Sequence, residues 1–215
     1  MGNHPSADLE SVRVATALRD DIMLGRRPPG SRLIERDIAA ELRVSRLPVR
    51  EAIRALVAEG VVVARPRTWA VVREFSSRDL QDFAEVREAM ETLAFVLATK
   101  RIDAEGIARM EALVAREEQA ALSGDADAAH EASAAFHIAA VEHSGNSMLI
   151  ELAASLVTRL RWLFGQHEDL GQMVSAHRVI LDAMRLRDVE AMRTLIPAHL
   201  AEGRAAAEER LHQRR

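Results

Sequence analysis

Residues 33–60, LIERDIAAELRVSRLPVREAIRALVAEG, constrain this chain more than any other stretch, because they spell two short helices joined by a turn. The second helix begins at Ser45, whose hydroxyl can cap a helix start, and Pro48 falls in the first turn, where its missing N–H is tolerated. Val49, Ile53, Leu56 and Val57 repeat at three- and four-residue spacing and line one buried face. Arg46, Arg50 and Arg54 fall at i, i+4 and i+8 on another, so one helix carries both a core face and a guanidinium stripe. The preceding helix, 35–42, gives Ile38 and Leu42 to the same core, with Arg43 and Val44 as the tight connection. That spacing is helix-turn-helix, in which the second helix enters the major groove. After Gly60, residues 61–64 and 70–72 read as two β-branched strands around a turn at 65–68 that carries Arg65 and Arg67. The expected module is a winged helix, its arginines set to meet double-stranded DNA. A charge stripe alone is usually a solvated helix face, but here a cap, a two-helix pattern and a basic wing coincide.

Charge is divided along the chain in the same sense. The net charge of −4 over 215 residues hides a basic stretch, 26–73, with eleven arginines against five acids, and an acidic one, 76–215, with sixteen basic and twenty-three acidic residues. Only the first is suited to a polyanion. This length accommodates two domains, and the joint is placed at 73–77, giving expected domains of 1–75 and 76–215. The absence of cysteine fits a reducing cytoplasm. No apolar run has the length of a membrane span, and the N-terminus lacks a signal-peptide layout, so a cytoplasmic protein without membrane contact is expected.

Before the reading pair, Val14, Leu18 and Ile22 mark a helix from about Leu9 to the turn at Gly25. Beyond the wing the periodicity is helical throughout, at 78–100, 104–123, 126–143, 147–165, 171–187 and 189–210. The breaks between them are short, including Ser144-Gly145-Asn146, where Asn146 reads as a cap, and the loop at 166–169. The fold class is therefore mainly α: an N-terminal winged helix-turn-helix followed by an antiparallel bundle of about six helices.

Of eight histidines, His4, His143, His167 and His212 sit at ends or loops and read as solvent-exposed. His137, His177 and His199 each share a helix face with apolar residues. A single inward histidine is most often a satisfied core residue, whereas three on three helices bring in convergence on a metal or an anion. His130, two turns before His137, could face the same pocket.

The segment PPGSRLIERDIAAELRVSRLPVREAIRALVAEGVV resembles the N-terminal signature of the GntR regulators, a bacterial winged-helix family, with a dense match over 18–72. That resemblance implies DNA contacts at Arg36, Ser45, Arg46, Leu47 and Arg50, with the wing tip near 67–69 and Arg67 on it. Trp69 stands where the family usually has glycine. Residues 78–200 resemble the FCD effector domain of the FadR-like branch, through VREAMETLA, FHIAAVEHSGN, AHRVILDAM and AHL. Metal-binding members use an Asp, a His four residues later and two further His. Carried over, the histidines are His137, His177 and His199, and the Asp position is Ser133. The resemblance also implies a small carboxylate effector in a cationic pocket, for which Arg87, Arg159 and Arg161 are candidates. Solvated arginines or bundle ion pairs are the alternative, and Arg87 with Glu91 matches the family's R-x-x-x-E.

The expected protein is a homodimeric DNA-binding regulator, a repressor, acting on a palindromic operator under control of a carboxylate and a divalent metal (zinc, nickel or manganese). The alternatives are a metal-dependent hydrolase using the three histidines and an architectural DNA binder with no effector. No general acid, base or nucleophile motif accompanies the histidines, so no catalytic residue is assigned.

Overall fold

The computed structural model of the protein describes residues 5–65, 68–164 and 169–213. Two compact units divide the chain, Met1–Phe75 and Ser76–Arg215. The turn expected at 65–68 falls partly outside the described residues, as do His4, Arg67, His167 and most of the loop at 166–169.

In the first unit the elements are α1 (Pro5–Met23), β1 (Arg32–Leu33), α2 (Glu35–Leu42), α3 (Arg46–Ala58), β2 (Val62–Val63) and β3 (Ala70–Val72). The first helix starts four residues earlier than its apolar period indicates. It lays Val14, Leu18 and Ile22, all fully buried, against α3, which answers with Val49 and Leu56. Arg43 turns the chain between α2 and α3 in the left-handed region, at φ 54°, and its N–H and that of Val44 close the end of α2. Ser45 occupies the N-cap position of α3, but its hydroxyl makes no capping hydrogen bond, contrary to expectation. Gly60, at φ 76°, reverses the chain from α3 into β2, a conformation costly for any residue with a Cβ. The sheet is antiparallel in the order β1-β3-β2, with Arg32 opposite Val71 and Val63 opposite the same residue on the other side.

The second unit consists, among the described residues, of α4 (Ser77–Arg101), α5 (Ala104–Ser123), α6 (Ala126–His143), α7 (Ser147–Phe164), α8 (Leu170–Arg185) and α9 (Val189–Gln213). Their starts are chemically marked. Ser76 and Asp79 form a reciprocal capping box on α4, Asp103, Asp125 and Asp169 cap α5, α6 and α8, and Asn146 accepts from the Leu149 N–H at the start of α7. Helix α4 lies along α6 and α9, while α5 packs on α6 and α8. The core between them is built from Phe95, Met110, Phe136, Ile180, Met184 and Met192, with the two phenylalanine rings 5.7 Å apart. This core lies directly beneath the histidines.

Candidate metal centre and nucleic-acid interface

Helices α6, α8 and α9 each send one histidine into the second unit. The Nε2 atoms of His137 and His177 are 3.2 Å apart, those of His177 and His199 3.1 Å, and those of His199 and His137 3.2 Å. All three are buried, His177 completely. Phe136 stacks on the His177 ring at 4.5 Å, and Phe95 meets His137 edge-on at 5.7 Å, so the core fixes the ring planes. The outer nitrogens of two of the histidines face acids. His177 Nδ1 lies 2.9 and 2.7 Å from the two oxygens of Glu117, itself fully buried on α5. His137 Nδ1 lies 2.6 Å from Glu91 Oε2, an ion-pair contact, while Glu91 Oε1 accepts from Arg87 Nε at 2.6 Å.

Glu117 was not expected from the sequence, because AREEQA reads as a solvated charge run. The available signal was its position on the face of Met110, Val114 and Ala120, where an acid needs a buried partner. The Glu117 carboxylate on His177 Nδ1 fixes that ring's tautomer and orientation, leaving Nε2 with a lone pair, and the Glu91 charge beside His137 Nδ1 favours the same tautomer there. If His137 and His177 both present lone pairs, only His199 has a proton to offer, and one proton serves one of three close N···N contacts. A shared cation satisfies all three. Bonds of about 2.0–2.1 Å at right-angled to tetrahedral openings place nitrogens about 2.9–3.4 Å apart, which brackets the observed triangle. The donor set therefore fits a divalent metal.

Burial opposes the Glu91 charge, yet Arg87 and His137 together hold its carboxyl well below the usual carboxylate range. Burial, then the neighbouring His137 and His177, holds the His199 imidazole neutral, well below its ordinary 6.5. Burial pushes Glu117 up to about 7, against the pull of His137 and His130. In metal-free protein these shifts act in different pH windows. His199 loses stability for the fold as pH drops below 6.5, since only the unfolded chain takes up the proton. Glu117 does the reverse between its ordinary 4.5 and about 7, so the two cancel over 4.5–6.5. Below 4.5 Glu117 is silent and Glu91 joins His199, so both groups then take stability away as pH falls. Denaturant unfolding of chelator-treated protein should show this steep acid limb, and Glu91→Gln should remove one proton from its slope. An unchanged slope in that variant contradicts the assignment.

Beside His137 a cavity of about 260 Å³ opens between α4, α6 and α7. Arg87, Ser133 and Arg161 line it together with Glu91 and His137. Ser133, buried one turn before His137, stands at the position the resemblance gave to an Asp. Arg159 is not among the lining residues: its guanidinium lies over the Phe83 ring at 5.2 Å and donates to the Ser155 carbonyl. His130 does not line the cavity either. His212 is exposed as expected. His143 is half-buried instead, its Cε1 so near Gly106 that an added Cβ would meet it at 2.8 Å.

In the first unit Arg46, Arg50 and Arg54 form the exposed stripe on α3, flanked by exposed Ser45 and Leu47. Glu35 at the start of α2 accepts two bonds from Arg50, both 3.0 Å, and one from Arg46 at 3.2 Å. Those bonds, Arg50's foremost, hold the Glu35 carboxyl below its ordinary value. Exposed Arg36 pairs with its neighbour Asp37. Trp69 is half-exposed, with the Arg32 guanidinium 4.5 Å above its ring, so the residue that replaces the usual glycine is braced from β1.

Residues 10–72 match the family of bacterial regulatory proteins named gntR, and residues 82–202 match the FCD domain. The chain is 30% identical over 203 residues to a probable D-xylose utilization operon transcriptional repressor of Paenarthrobacter nicotinovorans, covering 91% of this chain and 89% of that one. It is 31% identical over 188 residues to the gluconate operon transcriptional repressor of Bacillus subtilis, covering 82% and 76%. The solved structure of Escherichia coli McbR/YncC shares the fold, with a TM-score of 0.80 at 24% identity over 94% of this chain and 98% of that one. These relatives are transcriptional regulators, and the hydrolase alternative falls away. The chain thus belongs to the GntR family of bacterial transcriptional regulators and carries an FCD domain as its second unit.

Proposed function

We propose that the protein is a homodimeric repressor whose operator affinity is set by a small carboxylate effector bound with a divalent metal in the helical unit. The observation that carries this reading is the triangle of Nε2 atoms on His137, His177 and His199, each within 3.2 Å of the other two. A divalent cation bound there, zinc, nickel or manganese, supplies positive charge that no protein carboxylate neutralises directly, because Ser133 offers only a hydroxyl. That favours an anionic completing ligand. Arg87 and Ser133 meet the effector, and of the two candidate arginines on α7 it is Arg161 that borders the cavity, at its exposed rim. Both relatives described above are named as repressors, which supports that sign of control.

At the other end of the chain, Arg46 and Arg50 make the principal DNA contacts, with Arg36, Ser45, Leu47 and the wing's Arg67 beside them. A single winged helix spans few base pairs, so a two-fold pair on a palindrome is the economical arrangement. The effector acts only through unequal affinity for the DNA-competent and DNA-incompetent states. Selection from a random duplex pool should return two-fold symmetric sites, and light scattering should give a dimer. Zinc titration by calorimetry should show tighter binding in Ser133→Asp than in wild type, since the substitution restores a charged oxygen one turn from His137. A monomer on asymmetric sites, or no zinc bound by either protein, rejects the corresponding half of the proposal.

A further inference from the structure

The cavity beside His137 has an uneven wall. Its polar groups gather at one end, where Arg87 pairs with Glu91 at 2.6 Å, Glu91 lies 2.6 Å from His137, and Ser133 is one turn before His137. Phe164 closes that end, under the Arg87 guanidinium at 5.1 Å. Away from it the facing surfaces of α6 and α7 are hydrocarbon, supplied by Ile138, Val141, Ile150, Ala153 and Val157. The two other charged residues at the wall, Glu142 and Arg161, are exposed, and Glu142 is held by Arg109 at 2.7 Å. None of the apolar lining side chains has a donor or acceptor to offer, and the backbone groups of α6 and α7 are committed to their own helices.

We propose that the ligand of this cavity is a monocarboxylic acid with a hydrocarbon body, about ten non-hydrogen atoms in all, rather than a polyhydroxy acid of the sugar-acid kind. The inference rests on the effector-and-metal reading for its acid end and on the cavity wall for the rest. Size follows from volume: a 150 Å³ apolar cavity holds benzene, so about 260 Å³ takes about ten such atoms. The carboxylate belongs at the polar end, where Arg87 and the metal-bearing His137 supply positive charge. A chain of hydroxyls laid along Val141, Ile150 and Val157 would give up its water partners and find none in exchange, whereas methylenes there leave water at a gain.

The test is calorimetry on the full chain loaded with zinc, using butanoate, hexanoate, octanoate and gluconate. Affinity should rise about fourfold per added methylene up to octanoate, the ratio given by burying one methylene. Gluconate, which has the six-carbon skeleton of hexanoate with hydroxyls added, should bind at least about tenfold more weakly than hexanoate, because each hydroxyl against the wall loses a hydrogen bond. Ala153→Phe, which fills the apolar part of the cavity, should abolish octanoate binding and leave the zinc titration unchanged. Helical circular dichroism verifies that this variant is folded, and the chain-length series on wild type stands without it. A flat series, gluconate binding as tightly as hexanoate, or octanoate binding undiminished in folded Ala153→Phe overturns the proposal. Failure of zinc to bind removes the metal reading instead, and the same series on metal-free protein then decides the apolar body by itself.

Discussion

His177→Ala is expected to abolish binding of zinc, nickel and manganese at the histidine triangle. In the proposed site the residue would supply one of three nitrogen donors, and it is the best-anchored of them, fully buried between the Phe136 ring and both oxygens of Glu117. Two remaining imidazoles on α6 and α9 do not define a closed site, and the Glu117 carboxylate lies behind the vacated ring, an imidazole's width from the other two nitrogens. The same substitution leaves Glu117 in the interior without its hydrogen-bond partner, which costs about 1–3 kcal/mol. Loss of metal binding could therefore follow from general loosening, and Glu117→Gln separates the two causes. Glutamine keeps a group able to meet Nδ1 but surrenders the charge that raises the basicity of Nε2. Metal affinity should fall about 10–100-fold, as for other partners of metal-ligating histidines, while the fold persists. Calorimetry and thermal unfolding on both variants provide the measurement. Wild-type titration curves in His177→Ala would show that the three histidines are a polar core.

The contrast between His177 and Glu117 also shows where sequence reading stops. An inward histidine is legible because its helix neighbours, Ile180 and Leu181, are apolar, and three such positions fell into a pattern borne by a resemblance. Glu117 belongs to the same site, but its partner lies 60 residues away on another helix. The apolar spacing of Met110, Val114 and Ala120 sets it apart from Glu118, which is half-exposed and pairs with Arg178, but that spacing does not name the partner. The helices themselves were legible for the opposite reason: each carries its own period and, in most cases, its own cap, as in Ser76 with Asp79. Strand β1 has neither. Its two residues are a strand only because Val71 and Ala70 pair with them, and that information is held by the partner. The cavity is a third case. Its wall is the sum of α4, α6 and α7, so the choice between Arg159 and Arg161, two residues apart, is made by how α7 is rotated on its neighbours.

Arg46→Ala and Arg50→Ala should each weaken operator binding without unfolding the first unit. Both side chains are exposed on α3, opposite the buried Val49 and Leu56, so neither contributes to the core. In the DNA-free protein both are held by Glu35, an exposed and solvent-screened arrangement that phosphate or base edges readily replace. A guanidinium that is bidentate to a guanine should cost about 1–3 kcal/mol per site on removal and relax selectivity at one base pair. One that meets phosphate should weaken all sequences alike and lower the salt slope by about one unit. On a two-fold operator each loss is counted twice, so either variant should fall about 30-fold or more at about 1 kcal/mol per half-site. Glu35→Gln gives the opposite sign: it takes away the competitor and a negative charge beside the groove, so affinity should rise modestly, most at low salt. Anisotropy titrations of the selected duplex at two salt concentrations distinguish base from phosphate contacts. Normal binding by both arginine variants would remove α3 from the groove and leave the wing to carry recognition.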